Sequence, residues 1–265
     1  MAASFENPVK QRLQQGVPVI GHWISFPSSS VAELMASVGM DWLMIDTEHG
    51  STNWETVEDI LRAMKGTAVT PFVRVAANDV ALIKLALDRG AFGVLVPLVN
   101  TVEQARAAVA AAKYPPEGIR GVAGTRVNRY GGDLPQYFTE WNRQVLVACQ
   151  IETGQALENV ETIASVEGID VLFVGPNDLS ANLNRFRRFD DPEFARAVER
   201  ILKTAQRHGK AAGYMAANDD DALARIDQGF RFIALGSDAR LLANAAAATY
   251  EKIRRALRTR AGVKD

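Results

Sequence analysis

Two carboxylates and an imidazole follow directly on an apolar run in "WLMIDTEHG", residues 42–50, where Asp46, Glu48 and His49 stand within four positions of one another. A carboxylate beside an imidazole raises its basicity and fixes its tautomer, which is what a general base needs. The other two histidines have weaker settings: His22 lies inside an apolar run and His208 precedes a helix-ending glycine. Arg74 interrupts the apolar stretch "PFVRV", so it either pairs with a nearby carboxylate or stabilises an anion forming on a substrate. Glu152 and Asp178 end two further apolar runs. If those runs are neighbouring strands, roughly 4.8 Å apart, the two carboxylates can converge on one ion. Oxygen-only ligands favour Mg2+ or Mn2+ over zinc, with Co2+ a further candidate, and two protein ligands leave room for waters and a bidentate substrate. The structural alternatives are that Glu152 caps a loop and Asp178 caps the helix that follows it.

Chemistry of this kind needs elements that bring distant residues to one place. Strand-like apolar runs occur at residues 17–25, 41–46, 69–75, 92–98, 145–152, 170–175, 210–215 and 230–236. Segments of helical period lie between them, many opening on Ser, Thr, Asn or Asp and closing on Gly, and a long Ala-rich helix ends the chain. Eight strands alternating with eight helices predict an α/β protein of (β/α)8 TIM-barrel type, with residues 1–265 as one catalytic domain. A doubly wound open sheet is the rival, and the Gly-rich first turn it often carries is missing. In a barrel the strand ends place His22, Trp23, Asp46, Glu48, His49, Arg74, Pro97, Gln150, Glu152, Asn177 and Asp178 at one rim. The Gly- and Arg-rich piece 118–142 predicts a lid or subunit contact, and Arg120, Arg126 and Arg129 within it predict solvated or interface charges.

Composition narrows the field. A formal charge of -1 removes any general electrostatic case for nucleic acid or an acidic membrane. The single cysteine, Cys149, excludes a disulfide scaffold and a thiolate cluster and predicts a reducing cytoplasm. The first 16 residues hold no apolar segment of signal-sequence type, and no later run is long enough to span a bilayer. No lysine is placed at the end of a strand where a Schiff base would form, so carbanion chemistry would need a metal. A phosphate site has one weak candidate, the backbone amides after "LGSDAR".

The stretches "DWLMIDTEHG", "PFVRV", "GVLVPLVNTVEQARAAVAAAKYPPEGIRGV", "QIETGQALENVETIASVEGIDVLFVGPNDLSANL" and "GFRFIALGSD" together resemble the HpcH/HpaI aldolase family, from about Val17 to the last helix. The members are metal-dependent pyruvate aldolases that cleave 4-hydroxy-2-oxo acids to pyruvate and a small aldehyde or hydroxyaldehyde. The resemblance implies His49 as proton acceptor, Arg74 as transition-state stabiliser, and Glu152 with Asp178 as metal ligands. It also implies Gln150 and the backbone at Asn177 and Asp178 as pyruvate-binding groups, with Trp23 on the substrate side and Asp46 supporting the imidazole. Asp88 matches an acidic residue that tunes the histidine; since it ends a helix at the far face of its own barrel, it would act from a neighbouring subunit. A homohexamer is implied, with the apolar face of the last helix packing on a partner as well as on its own barrel. The segment "NLNRFRRFDDPEF" departs from the Gly-containing loop of the sugar-acid aldolases and leaves the aldehyde preference open. Two rivals are a CoA-dependent lyase of the citrate-lyase type, with "NRFRRF" as its basic contact, and a non-catalytic regulatory barrel.

Overall fold

The computed structural model describes residues 5–260. Eight parallel strands, β1 (Val19–Ile24), β2 (Trp42–Asp46), β3 (Thr70–Arg74), β4 (Gly93–Val96), β5 (Leu146–Ile151), β6 (Val171–Val174), β7 (Ala211–Met215) and β8 (Phe232–Ser237), pair in sequence order. The ring closes through β1 and β8, Val19 facing Phe232, which excludes the open sheet. The helices are α1 (Pro8–Gln14), α2 (Ser29–Ser37), α3 (Trp54–Ala63), α4 (Val80–Arg89), α5 (Val102–Ala112) and α6 (Leu134–Gln144). They continue as α7 (Gly154–Glu158), α8 (Val160–Ala164), α9 (Pro176–Asn182), α10 (Pro192–Arg207), α11 (Asp219–Gln228) and α12 (Asp238–Arg260). The polar residue before each helical run acts as expected: the side chains of Ser28, Asn53, Asp79, Thr101, Thr153, Asp191 and Asn218 each accept a first-turn backbone N–H.

Alternation along the strands sorts side chains into two cores. Leu43, Ile45, Val73, Val94, Val147 and Leu172 face the helices, whereas Val19, Trp42, Met44, Phe72, Leu95, Ala148, Phe173 and Phe232 fill the barrel. The lower interior is aromatic: Trp42 stacks on Phe232 at 4.3 Å, with Phe72 edge-on to both. Below it, α1 plugs the N-terminal end, with Val9 in the same cluster. Lys10 Nζ donates to Val145 O at 2.7 Å and lies 3.0 Å from Asp170.

Three expectations are corrected here. The helix read over 156–168 is two short helices meeting at Asn159. The stretch 118–142 is neither irregular nor a lid. It holds a 3-10 turn, Arg126–Gly131, and most of α6, whose Tyr137 and Trp141 are buried. It also joins α5 to β5, which puts it at the N-terminal end of the barrel, away from the mouth. Finally, α12 does not pack along its own barrel: from Arg240 to Arg260 every residue is exposed, including Leu242, Tyr250, Ile253 and Leu257.

Candidate active site

The period of two that fills the barrel also delivers the polar groups. Asp46 follows Trp42 and Met44 on β2, Arg74 follows Phe72 on β3, and Gln150 and Glu152 follow Leu146 and Ala148 on β5. At the C-terminal end of the strands, where the lumen opens, the interior changes from apolar to ionisable.

Arg74 is the hub. Its Nε donates to Asp46 Oδ1 at 3.0 Å and its Nη2 to Oδ2 at 2.7 Å, a bidentate pair that fixes the guanidinium plane. Its third nitrogen, Nη1, lies 2.9 Å from Glu48 Oε2, which has no well-directed hydrogen bond. The Trp23 ring covers the guanidinium at 4.3 Å. Asp46 Oδ1 also accepts the backbone N–H groups of Glu48 and His49, at 3.0 and 3.2 Å. Asp46 therefore does not hydrogen-bond the imidazole, as expected from sequence. Both its oxygens are taken by Arg74 and the turn, and it positions His49 through the backbone. The turn is pinned further: Thr47 bonds Arg74 O through both its backbone N and its hydroxyl, and a Cβ at Gly50 would sit 2.2 Å from Asp46 O. The His49 side chain is left exposed at the lip, with no hydrogen bond among the described residues.

A second cluster lies on β5 and β6. Glu152 is buried, accepting Leu98 N–H at 2.9 Å through Oε1 and the Gln150 amide at 2.5 Å through Oε2. Gln150 Oε1 is buried without a partner. Burial, with Asp178 and Glu48 adding like charge against the pull of Arg74 and the Leu98 amide, pushes the Glu152 carboxyl up to about 7. Burial likewise raises Glu48. Asp178 is not the helix cap, a position held by Gly175; it sits exposed in the first turn of α9 with no hydrogen bond or ion pair on its side chain. Gly175 makes space here, since a Cβ would come within 2.8 Å of Glu152 Oε2 and 3.1 Å of the Gln150 amide.

The donor set fits a hard divalent cation. Carboxylates that raise one another's pKa are lacking a positive charge, and a bound cation would supply it. Among the described residues no group of three or more His, Cys, Asp or Glu forms a complete cage, so Glu152 and Asp178 would share the ion with waters and a substrate.

Other sequence-predicted residues lie elsewhere. Asp88, one residue from the end of α4, lies at the N-terminal end of the barrel and pairs with Arg120 at 2.7 Å. Arg120 is not a solvated or interface charge but a buried one, walled by Tyr114, Tyr137 and Trp141. Arg126 is half-buried and bonded to Arg89 O, while Arg129 is exposed as expected. His22 faces no open loop. It is buried, and burial lowers its pKa against the pull of Asp238. The phosphate candidate after β8 is closed by the chain itself: Asp238 accepts Ser25, Phe26 and Ala239 N–H, and Ser237 Oγ accepts Arg240 N–H. Among the described residues no lysine ends a strand; Lys264 lies outside them. The residues that sequence reasoning left out of the site are Glu48, visible in "DTEHG" but given no role, and Gly175, whose need for space has no sequence signal.

Comparison with known proteins agrees with this arrangement. The family model described as HpcH/HpaI aldolase/citrate lyase matches residues 20–245. A 5-keto-4-deoxy-D-glucarate aldolase of Klebsiella pneumoniae is 39% identical over 236 residues, 89% of this chain and 92% of the relative. Among solved structures, an HpcH/HpaI aldolase/citrate lyase family protein from Burkholderia cenocepacia J2315 superposes with a TM-score of 0.90 at 36% identity, covering 94% of this chain and 99% of that one. The citrate synthase SbnG gives a TM-score of 0.84 at 28% identity, covering 95% and 98%. The chain belongs to the HpcH/HpaI aldolase/citrate lyase family, and its activity is that of an aldolase, a carbon–carbon lyase.

Proposed function

We propose that the chain is a divalent-metal-dependent pyruvate aldolase that reversibly cleaves 4-hydroxy-2-oxo acids to pyruvate and a small hydroxyaldehyde. The observation that carries this reading is the convergence of Glu152, Asp178, Arg74 and His49 on one barrel mouth. 5-Keto-4-deoxy-D-glucarate, named for the curated relative, is a 2-oxo-3-deoxy-4-hydroxy acid when counted from its keto end. Glu152 and Asp178 would hold Mg2+ or Mn2+, with Co2+ a further candidate; the cation supplies Lewis-acid polarisation of the keto group.

The remaining work falls to the side chains. Gln150 offers an amide whose oxygen has no partner, and the backbone at Asn177 and Asp178 opens α9, so these groups orient the pyruvate half. Arg74, locked by Asp46 and roofed by Trp23, presents Nη1 to the oxygen that gains charge as the bond breaks. His49 takes the proton from the 4-hydroxyl in cleavage and returns it in addition. Trp23 bounds the substrate side of the pocket. Asp88 would tune His49 only from a neighbouring subunit; its Oδ2 has no partner among the described residues, and its side chain is 18% exposed. We propose a homo-oligomer, in keeping with the hexamer that the resemblance implies, because the exposed apolar residues of α12 need a partner surface. No helix among the described residues is long and apolar enough to cross a membrane, which accords with the cytoplasmic placement proposed from the cysteine content.

A pyruvate-release assay on a panel of 4-hydroxy-2-oxo acids, with and without EDTA, tests the reading. Turnover should vanish with EDTA, return with Mg2+ or Mn2+, and be absent in Glu152→Ala and Asp178→Ala. Retained EDTA-sensitive turnover in either variant refutes the ligand assignment. CoA-dependent turnover in place of this would favour the citrate-lyase alternative.

A further inference from the structure

Beside the metal-ligand pair lies a second chamber that the reaction as described does not use. It has a volume of about 560 Å3 and opens between the ends of β6, β7 and β8, bounded by Asn177, Met215, Arg187, Arg225 and Arg240. Asn177 precedes Asp178 in the chain and Met215 belongs to the apolar lining of the barrel, so the chamber continues from the reacting centre.

Its charges are not balanced. Arg225 is occupied: Nε donates to Asp221 Oδ1 at 3.0 Å and the guanidinium stacks on Tyr214 at 4.2 Å. Asp221 spends its other oxygen on Ala217 N–H. Arg240 reaches only a carbonyl, Ala217 O, at 3.1 Å. Arg187 makes no side-chain hydrogen bond or ion pair among the described residues, although both neighbouring arginines do: Arg185 pairs with Asp191 and Glu193, and Arg188 lies 3.9 Å from Asp191. The backbone at Arg187 is held in a conformation that side chains rarely adopt, with φ 56°. It is tied there by its N–H to Ser180 Oγ at 3.1 Å, and Ser180 is anchored in turn on Asn177 O at 2.8 Å. The bulky basic loop that distinguishes this sequence thus presents one unpaired arginine to the chamber, fastened to the residue next to a metal ligand.

We propose that Arg187 and Arg240 form a carboxylate subsite that reads the far end of the substrate, so that the preferred substrates are 4-hydroxy-2-oxo acids with a second, terminal carboxylate and the aldehyde released is itself an acid. This rests on the aldolase reading and names its substrate class. Two guanidinium groups without acid partners suit a planar carboxylate. A phosphate is disfavoured because the backbone amides nearest the chamber, at the start of α12, are already used by Asp238 and Ser237.

The test compares cleavage of a terminal-carboxylate substrate with that of an equal-length analogue ending in a hydroxymethyl group, in the wild type and in Arg187→Gln, Arg240→Gln and Arg187→Lys. The carboxylate-to-neutral ratio of kcat/KM should fall about 10- to 100-fold in each Gln variant, chiefly through KM, and less in Arg187→Lys. A ratio near one in the wild type, or one unchanged in both Gln variants, overturns the subsite. So does a phosphate-terminated analogue that is cleaved with a higher kcat/KM than the carboxylate. Exchange of the pyruvate methyl protons with D2O in the wild type, with Mg2+ or Mn2+ present, separates the two levels. Exchange with an unchanged ratio overturns the subsite alone, whereas no exchange overturns the aldolase reading and the subsite with it.

Discussion

Two buried Asp–Arg pairs stand at opposite ends of this barrel, built from the same parts. At the mouth, Asp46 grips Arg74 through both oxygens and Trp23 covers the guanidinium. At the N-terminal end, Asp88 holds Arg120 at 2.7 Å and three aromatic rings cover it, at 4.7, 5.5 and 4.8 Å. The difference lies in what surrounds each pair. Around Arg120, Tyr137 supplies a hydroxyl at 3.1 Å and the rest is ring carbon. Around Arg74, the Trp23 indole nitrogen and Gln150 Oε1 have no partner, the His49 side chain stands free, and like-charged Glu48, Glu152 and Asp178 crowd together. An ion pair under an aromatic ring is therefore not the mark of a site. Convergent polar groups without partners of their own are.

If the N-terminal pair is structural, removing its cation should cost stability first. Arg120→Ala leaves Asp88 facing a ring-lined hole, and the loss should be about 3–5 kcal/mol in denaturant unfolding. Arg120→Met, which refills the volume, should leave Asp88 uncompensated but lose less. A Tm unchanged in Arg120→Ala would remove the distinction between the two pairs.

The converse substitution belongs at the mouth. Arg74→Lys keeps the charge but loses the fork on Asp46 and the Nη1 donor, so kcat should fall about 100- to 1000-fold while the Tm stays close to wild type. A large Tm loss with near-normal turnover per folded molecule would assign Arg74 the structural role instead.

A smaller effect follows from Glu152. Its carboxyl is pushed from 4.5 to about 7 in the metal-free fold, so the folded state holds this proton more tightly than the unfolded chain does. The resulting stability is present below about pH 4.5 and is lost as pH rises to about 7, a change on the order of 3 kcal/mol. Glu152→Gln should therefore raise the Tm of metal-free protein at pH 8 relative to wild type and change it little at pH 4.5. The Gln150 amide can turn over to place its unpartnered Oε1 toward the new donor. An equal Tm difference at both pH values would mean that Glu152 is not the titrating group.

All eight strands were readable because each is an apolar run, buried on both faces, set between helices whose caps are written in Ser, Thr, Asn and Asp. Period-two spacing then carried Asp46, Arg74, Gln150 and Glu152 to the lumen without any knowledge of contacts. Short helices were the weak point: α9 spans only Pro176–Asn182, and the break at Asn159 leaves no trace in the apolar pattern.

What local sequence settles is therefore the type of each element and the face on which each residue stands, since both follow from near-neighbour sterics and alternation. Partner choice is a different matter. That Asp46 spends its oxygens on Arg74 and on backbone amides, that Asp88 meets Arg120 across 32 positions, and that Arg187 stays unpaired between two paired arginines depend on groups far apart in the chain. A carboxylate bonds whichever donor the closed barrel brings within about 3 Å of it, and that distance exists only once the fold has formed.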